Sequence, residues 1–121
     1  CALPICYIPY AEMMSVAKGC DISVNAIHSY AMQSITNKLS DYMALQKPIL
    51  NSQVNDEVAE VLTLLPHANY RSGDVDGFVK AAKDILKRKD DPVQSEEIVR
   101  RFKRDVAYQK IVNLIERLAH E

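Results

Sequence analysis

Two hydrophobic periods alternate along this 121-residue chain, and that alternation constrains its fold more than any other feature. Tyr10 to Lys18 carries Ala11, Met14 and Ala17 at helical spacing, with Gly19 as a natural stop. Asp21-Ile22-Ser23-Val24-Asn25 alternates apolar and polar residues and reads as a short strand. Residues 26–36 form a loop. Asn37 to Gln46 places Leu39, Tyr42 and Met43 on one helical face, and Pro48-Ile49-Leu50-Asn51 reads as a buried strand. Asn55 to Leu65 is the clearest helix: Val58, Val61, Leu62 and Leu65 share one face, Asn55 or Asp56 caps it, and Pro66 ends it. Asn69-Tyr70-Arg71 is a brief strand. Ser72-Gly73-Asp74 then caps a helix carrying Phe78, Ala82, Ile85 and Leu86. Asp90-Asp91-Pro92 breaks the chain before two final helices, Val93–Arg104 and Asp105–His120. The second of these has Ile111, Leu114, Ile115 and Leu118 on one stripe. Strands separated by helices predict crossover connections, a parallel sheet and the α/β class. Such sheets bind ligands at the carboxyl ends of their strands. The loop after Asn25 and the start of the Asn37 helix lie at that edge.

Composition narrows the function classes. Apolar residues make up 48% and charged residues 26%, which excludes a mainly disordered chain. No apolar run approaches the roughly 20 residues that span a bilayer. Net charge is −1, so bulk nucleic-acid binding is not expected. Basic residues nonetheless concentrate in Lys80 to Arg104, with 9 against 5 acidic. That cluster reads as a solvated helical face, or as a weak attraction to an anionic membrane surface. Cys1, Cys6 and Cys20 form neither a disulfide framework nor a zinc pattern, which points to a reducing compartment, the cytoplasm. The opening Cys1-Ala2-Leu3-Pro4-Ile5 lacks an initiator Met and a basic leader. Ala2 to Ile5 is similar to a translated sequencing adapter (GCT-CTT-CCG-ATC). Residues 1–5 are therefore expected to be an assembly scar, leaving 6–121 as part of a longer protein.

Two weak motifs fail on their own chemistry. Gly73-Asp74-Val75-Asp76-Gly77 hints at a calcium loop, but counting from Asp74 puts Ile85 where a bidentate Glu is required. His28, His67 and His120 have no nucleophile or acid in a recognisable pattern beside them. His28 alone sits in the candidate ligand loop.

Residues 28–50 are the informative stretch. A helix N-terminus offers free N–H groups and a positive dipole end, which suits a phosphate. Ser34, Thr36 and Asn37 add short polar donors, Lys38 adds a charge, and Asp41 follows one turn later. A carboxylate there can accept two hydrogen bonds from a ribose diol, so the spacing describes a site for a nucleotide diphosphate. The same spacing also describes an ordinary capped helix with a Lys38–Asp41 surface pair.

Asn37-Lys38-Leu39-Ser40-Asp41-Tyr42-Met43-Ala44-Leu45-Gln46-Lys47-Pro48-Ile49-Leu50 resembles the N-K-L-x-[DE]-Y-M-A-x-G-K-P-I-L signature of GT-B glycosyltransferases. The likeness is greatest to the bacterial cell-surface polysaccharide enzymes of the family 4 group. Tyr7-Ile8-Pro9-Tyr10 through Cys20-Asp21-Ile22-Ser23-Val24 is similar to that family's V-P-x-x-E-L…A-D-I-x-V run. Asn55-Asp56-Glu57-Val58 and Tyr70-Arg71-Ser72-Gly73-Asp74 also match in order and spacing. The resemblance covers about residues 7–90, and the final helices fit loosely.

It implies a Rossmann-like partial domain, the distal part of a donor-binding C-terminal half whose acceptor-binding N-terminal domain lies upstream. Asp41 then matches the second acidic residue of the family's paired-Glu motif, which holds the nucleotide ribose. Gln33 stands where the first Glu contacts the donor sugar, and Gln46 replaces a Gly at the helix end; both are departures. Thr36-Asn37-Lys38 matches the diphosphate-facing helix start. The implied reaction is retaining transfer of a sugar from a UDP- or GDP-sugar to a carbohydrate or lipid-linked acceptor. It would take place in the cytoplasm, with peripheral contact at the inner membrane face. No metal is expected, since the loop has no D-x-D cluster, and no cofactor is expected. The remaining basic groups of the site would lie upstream, so the chain alone is expected to be inactive. A non-catalytic flavodoxin-like interaction domain and a GT-B nucleotide-sugar epimerase are the alternatives.

Overall fold

A computed structural model describes residues 8–120, so the expected scar and the first two cysteines fall outside the described residues. The chain folds as α1 (Tyr10–Lys18), β1 (Ser23–Asn25), α2 (Asn37–Leu45), β2 (Ile49–Asn51), α3 (Asp56–Leu62), β3 (His67–Asn69), α4 (Val75–Lys87), α5 (Ser95–Phe102) and α6 (Arg104–Ala119). The strands form one parallel sheet in the order β1-β2-β3. The class is α/β, a Rossmann-like partial domain with six flanking helices.

Helix boundaries follow local chemistry. Thr36 Oγ1 accepts from the Leu39 N–H, and the Asn55 side chain accepts from the Glu57 and Val58 N–H groups. Asp74 accepts from Gly77 N–H, so the 73–77 segment is a helix cap, as expected. Gly73, at φ +85°, makes the turn into that cap. Each cap satisfies donors that a helix start cannot satisfy internally.

Three expected elements shift. Helix α3 ends at Leu62 rather than Leu65. Thr63, Leu64 and Leu65 donate three residues back, a tightening that ends the helix before buried Pro66. The third strand lies at His67–Asn69, not 69–71. Ile49 donates to the Pro66 carbonyl and Tyr70 to the Asn51 carbonyl, so pairing with β2 sets the strand two residues early. The first strand also begins late, at Ser23 rather than Asp21.

One sheet face carries Leu39 and Met43 of α2, Val58, Val61 and Leu62 of α3, and Ile98 of α5, packed on Ile49, Leu64 and Leu65. The other carries Leu50 and Ala68 under Ala81 and Ile85 of α4. Each wholly buried aliphatic side chain of this kind contributes about 2 kcal/mol through surface removed from water. The expected stripe on α6 forms but remains open: Ile111, Leu114, Ile115 and Leu118 are 45–60% exposed. Among the described residues, no helix is long and apolar enough to cross a membrane.

Candidate functional site

Each of the three strands ends in asparagine, and register makes them neighbours: Asn25 pairs with Asn51 and Asn51 with Asn69. Asn25 Nδ2 donates to Asn51 Oδ1 at 2.8 Å and to Gln53 Oε1 at 3.1 Å. Asn51 Nδ2 donates to Asn69 Oδ1 and to the Gln53 carbonyl. The carboxyl edge of the sheet is thus laced by amides. Asn25 Oδ1 is buried there with no hydrogen-bond partner among the described residues. Gln53 extends the lacing outward: its Nε2 donates to the carbonyls of Gln33 (2.6 Å) and Ser34 (3.0 Å). Asn55 Nδ2 also reaches the Gln33 carbonyl. The β2–α3 turn therefore holds the chain that leads into α2. Ser52 and Ser29 hold the earlier part of the loop. Ser52 Oγ donates to the Ile27 carbonyl, and Ser29 Oγ donates to the Ser52 carbonyl.

Helix α2 has three faces. Leu39 and Met43 face the core and are fully buried. Lys38 and Tyr42 lie on a second face, the ammonium 5.7 Å from the ring centroid, a cation–π distance. Asn37, Ser40, Asp41 and Ala44 lie on the third. With Tyr10 of α1 and Arg101, Phe102 and Lys103 at the α5–α6 junction, they line a cavity of about 420 Å³. The Tyr10 hydroxyl donates to Asp41 Oδ1 at 2.7 Å across this cavity. The N–H groups of Asn37 and Lys38 find no acceptor among the described residues. Both residues are exposed, so the first turn presents two donors beside a carboxylate and two cations.

The expected site residues therefore separate. Asn37 and Asp41 share the cavity, and Thr36 caps the helix that carries them. Lys38 does not line the cavity. The Ser34 hydroxyl donates to Glu57 of α3, and the Gln33 side chain is exposed while its carbonyl is held. His28 Nδ1 accepts from the Tyr30 N–H within its own loop. Sequence reasoning missed Tyr10, Arg101, Lys103 and the amide ladder. The ladder left a signal, an asparagine closing each of Ser-Val-Asn, Ile-Leu-Asn and His-Ala-Asn.

Several charges of the Lys80–Arg104 cluster are spent inside the molecule. Arg88 reaches Asp84 and the His67 carbonyl, and Arg101 bridges Glu97 and Glu60. Hydrogen bonds from Arg100 and Arg101 lower the Glu97 carboxyl to about 2. The neighbouring Arg100 and Arg101 are raised by the same contacts. Lys103 makes no ion pair among the described residues and keeps its charge for the cavity.

No protein-family profile, curated protein or solved structure matches this chain.

Proposed function

We propose that this chain is part of a glycosyltransferase and binds a nucleotide-diphosphate sugar at the start of α2. The observation that carries the reading is the placement of Asp41 in one cavity with Asn37, on the helix that follows β1. A diphosphate there would meet the unspent N–H groups of Asn37 and Lys38 and the helix dipole. The ribose would fall one turn deeper, at the Asp41 carboxylate. Charge builds on the leaving diphosphate as a glycosidic bond breaks, and donors fixed in advance around it lower that barrier. Lys103 supplies counter-charge from the opposite wall. The sugar, its acceptor and the rest of the catalytic machinery would be held by an upstream domain.

The test is an NMR titration of the 121-residue chain with UDP and GDP. The expected result is shifts clustered at residues 34–41, lost in Asp41→Ala. Silence with both nucleotides would refute donor binding and favour a non-catalytic interaction domain.

A further inference from the structure

Helix α6 turns its apolar side to solvent. Tyr108, Ile111, Val112, Leu114, Ile115 and Leu118 are each 43–63% exposed. Six such side chains, each about half open, present on the order of 500 Å² of apolar surface, at the upper end of what a lone domain leaves uncovered. Their order is symmetric. Tyr108, Ile111, Ile115 and Leu118 follow the 3-4-3 spacing of a coiled-coil seam, which reads the same in either direction. Val112 and Leu114 flank that seam, one on each side of Asn113. We infer that α6 is a self-association surface: it pairs antiparallel with α6 of a second copy of this chain, about a two-fold axis level with Asn113. The rotation puts Tyr108 in one layer with Leu118 of the second copy, and Ile111 in one layer with its Ile115. Each seam residue thus meets a seam residue, as a closed two-fold interface requires. The pairing is independent of the donor reading above.

Three features favour a second copy as the occupant. The first is area: two such faces together bury on the order of 1,000 Å², the size at which specific interfaces begin. The second is charge. Within this span Lys110, Glu116 and Arg117 lie on the opposite face of the helix with Gln109 and Asn113, so pairing strips water from no charge. That polar face carries both signs and lacks the basic excess of a helix lying on an anionic membrane. The third is direction. The sheet and its helices join α6 at its N-terminal end, through α5. Antiparallel pairing of two 16-residue helices, each about 24 Å long, sends the two bodies to opposite ends and sets the helix dipoles in opposition. Parallel pairing would crowd both bodies at one end.

The test is sedimentation velocity of the 121-residue chain across a wide concentration range. The expected result is a reversible step from one chain mass to two, and no further. Ile115→Glu and Leu118→Glu each place a charge in the seam and should hold the chain at one mass. Asn113→Glu places the same charge on the opposite face and should leave the dimer intact. Circular dichroism at the lowest concentration should match wild type in all three, since each side chain is exposed in the single chain. In a background with Cys1, Cys6 and Cys20 replaced by serine, oxidation should join Tyr108→Cys chains to Leu118→Cys chains. Self-linking of Leu118→Cys alone overturns the antiparallel arrangement. A chain that stays at one mass throughout, species larger than two, or a dimer that survives Ile115→Glu and Leu118→Glu overturns the pairing.

Discussion

Asn51 is the amide on which the carboxyl edge depends, and replacing it with aspartate isolates that dependence. The substitution changes one NH₂ to oxygen and leaves the shape alone, so no cavity term enters. Asn51 is 2% exposed, and all its hydrogen-bonding capacity is used. Nδ2 serves the Gln53 carbonyl and Asn69 Oδ1, and Oδ1 serves Asn25 Nδ2 and the Gln53 N–H. In Asn51→Asp the two donor bonds become oxygen–oxygen contacts. Asn69 is exposed and recovers water. The Gln53 carbonyl sits in a buried residue and does not, at about 1–3 kcal/mol. A carboxylate held against that carbonyl adds to the cost, so the expected loss at pH 7 is about 3 kcal/mol. For a chain of this size that is about 10–15 °C in Tm.

The sign with pH follows from the same contacts. Burial and the facing carbonyl raise the new carboxyl above the ordinary aspartate range in the folded state, because only the protonated form can donate. The penalty is therefore smallest below about pH 4 and grows as pH rises through the raised folded value. Urea unfolding of wild type and variant, compared at matched pH, reads both quantities. A loss below about 1 kcal/mol that is flat in pH would refute a supporting role for the ladder.

Two further perturbations test the frame around the cavity. Gln46 ends α2 at φ +57°, and its Oε1 accepts from Ser95 Oγ at 2.6 Å. Gln46→Gly should raise stability by about 1 kcal/mol in a Ser95→Ala background, where that bond is already gone, and by less in wild type; denaturant midpoints of the four proteins check this. Glu97 is lowered to about 2 by Arg100 and Arg101, so its contribution is present above the ordinary carboxylate range and lost as pH falls toward 2. The stability difference between wild type and Glu97→Gln should shrink over that window, read from unfolding midpoints at successive pH values.

What was legible in the sequence was local. Leu39 and Met43, four residues apart beside a Thr36 cap, mark both the position of α2 and its buried face. The stripe of α3 is equally plain, because Val58, Val61 and Leu62 all sit inside, and Leu65 is buried just beyond the helix end. The third strand was less legible, since His67-Ala68-Asn69 has no β-branched residue and owes its strand conformation to β2 alongside it. Partners distant in sequence left no local mark. Glu57 captures the Ser34 hydroxyl from 23 residues away, and Tyr10 reaches Asp41 from 31. The asparagine closing each strand was visible as a repetition, but its meaning depends on register, which only the assembled sheet supplies.

The cavity owes its geometry to groups that do not line it. A helix advances about 100° per residue, so burying Leu39 and Met43 fixes where Asn37, Ser40, Asp41 and Ala44 must face. The core positions the carboxylate, and no ligand is needed to turn it. The entry into α2 is fixed from the opposite side, where Gln53 holds two successive carbonyls of the loop and is itself held by Asn25 and Asn51. Hydrophobic burial thus sets the rotation of α2, and the amide ladder sets the approach of the chain to its first turn. The outer wall is held by side chains instead: Tyr10 donates to Asp41, and Arg101 is tied to Glu97 and Glu60.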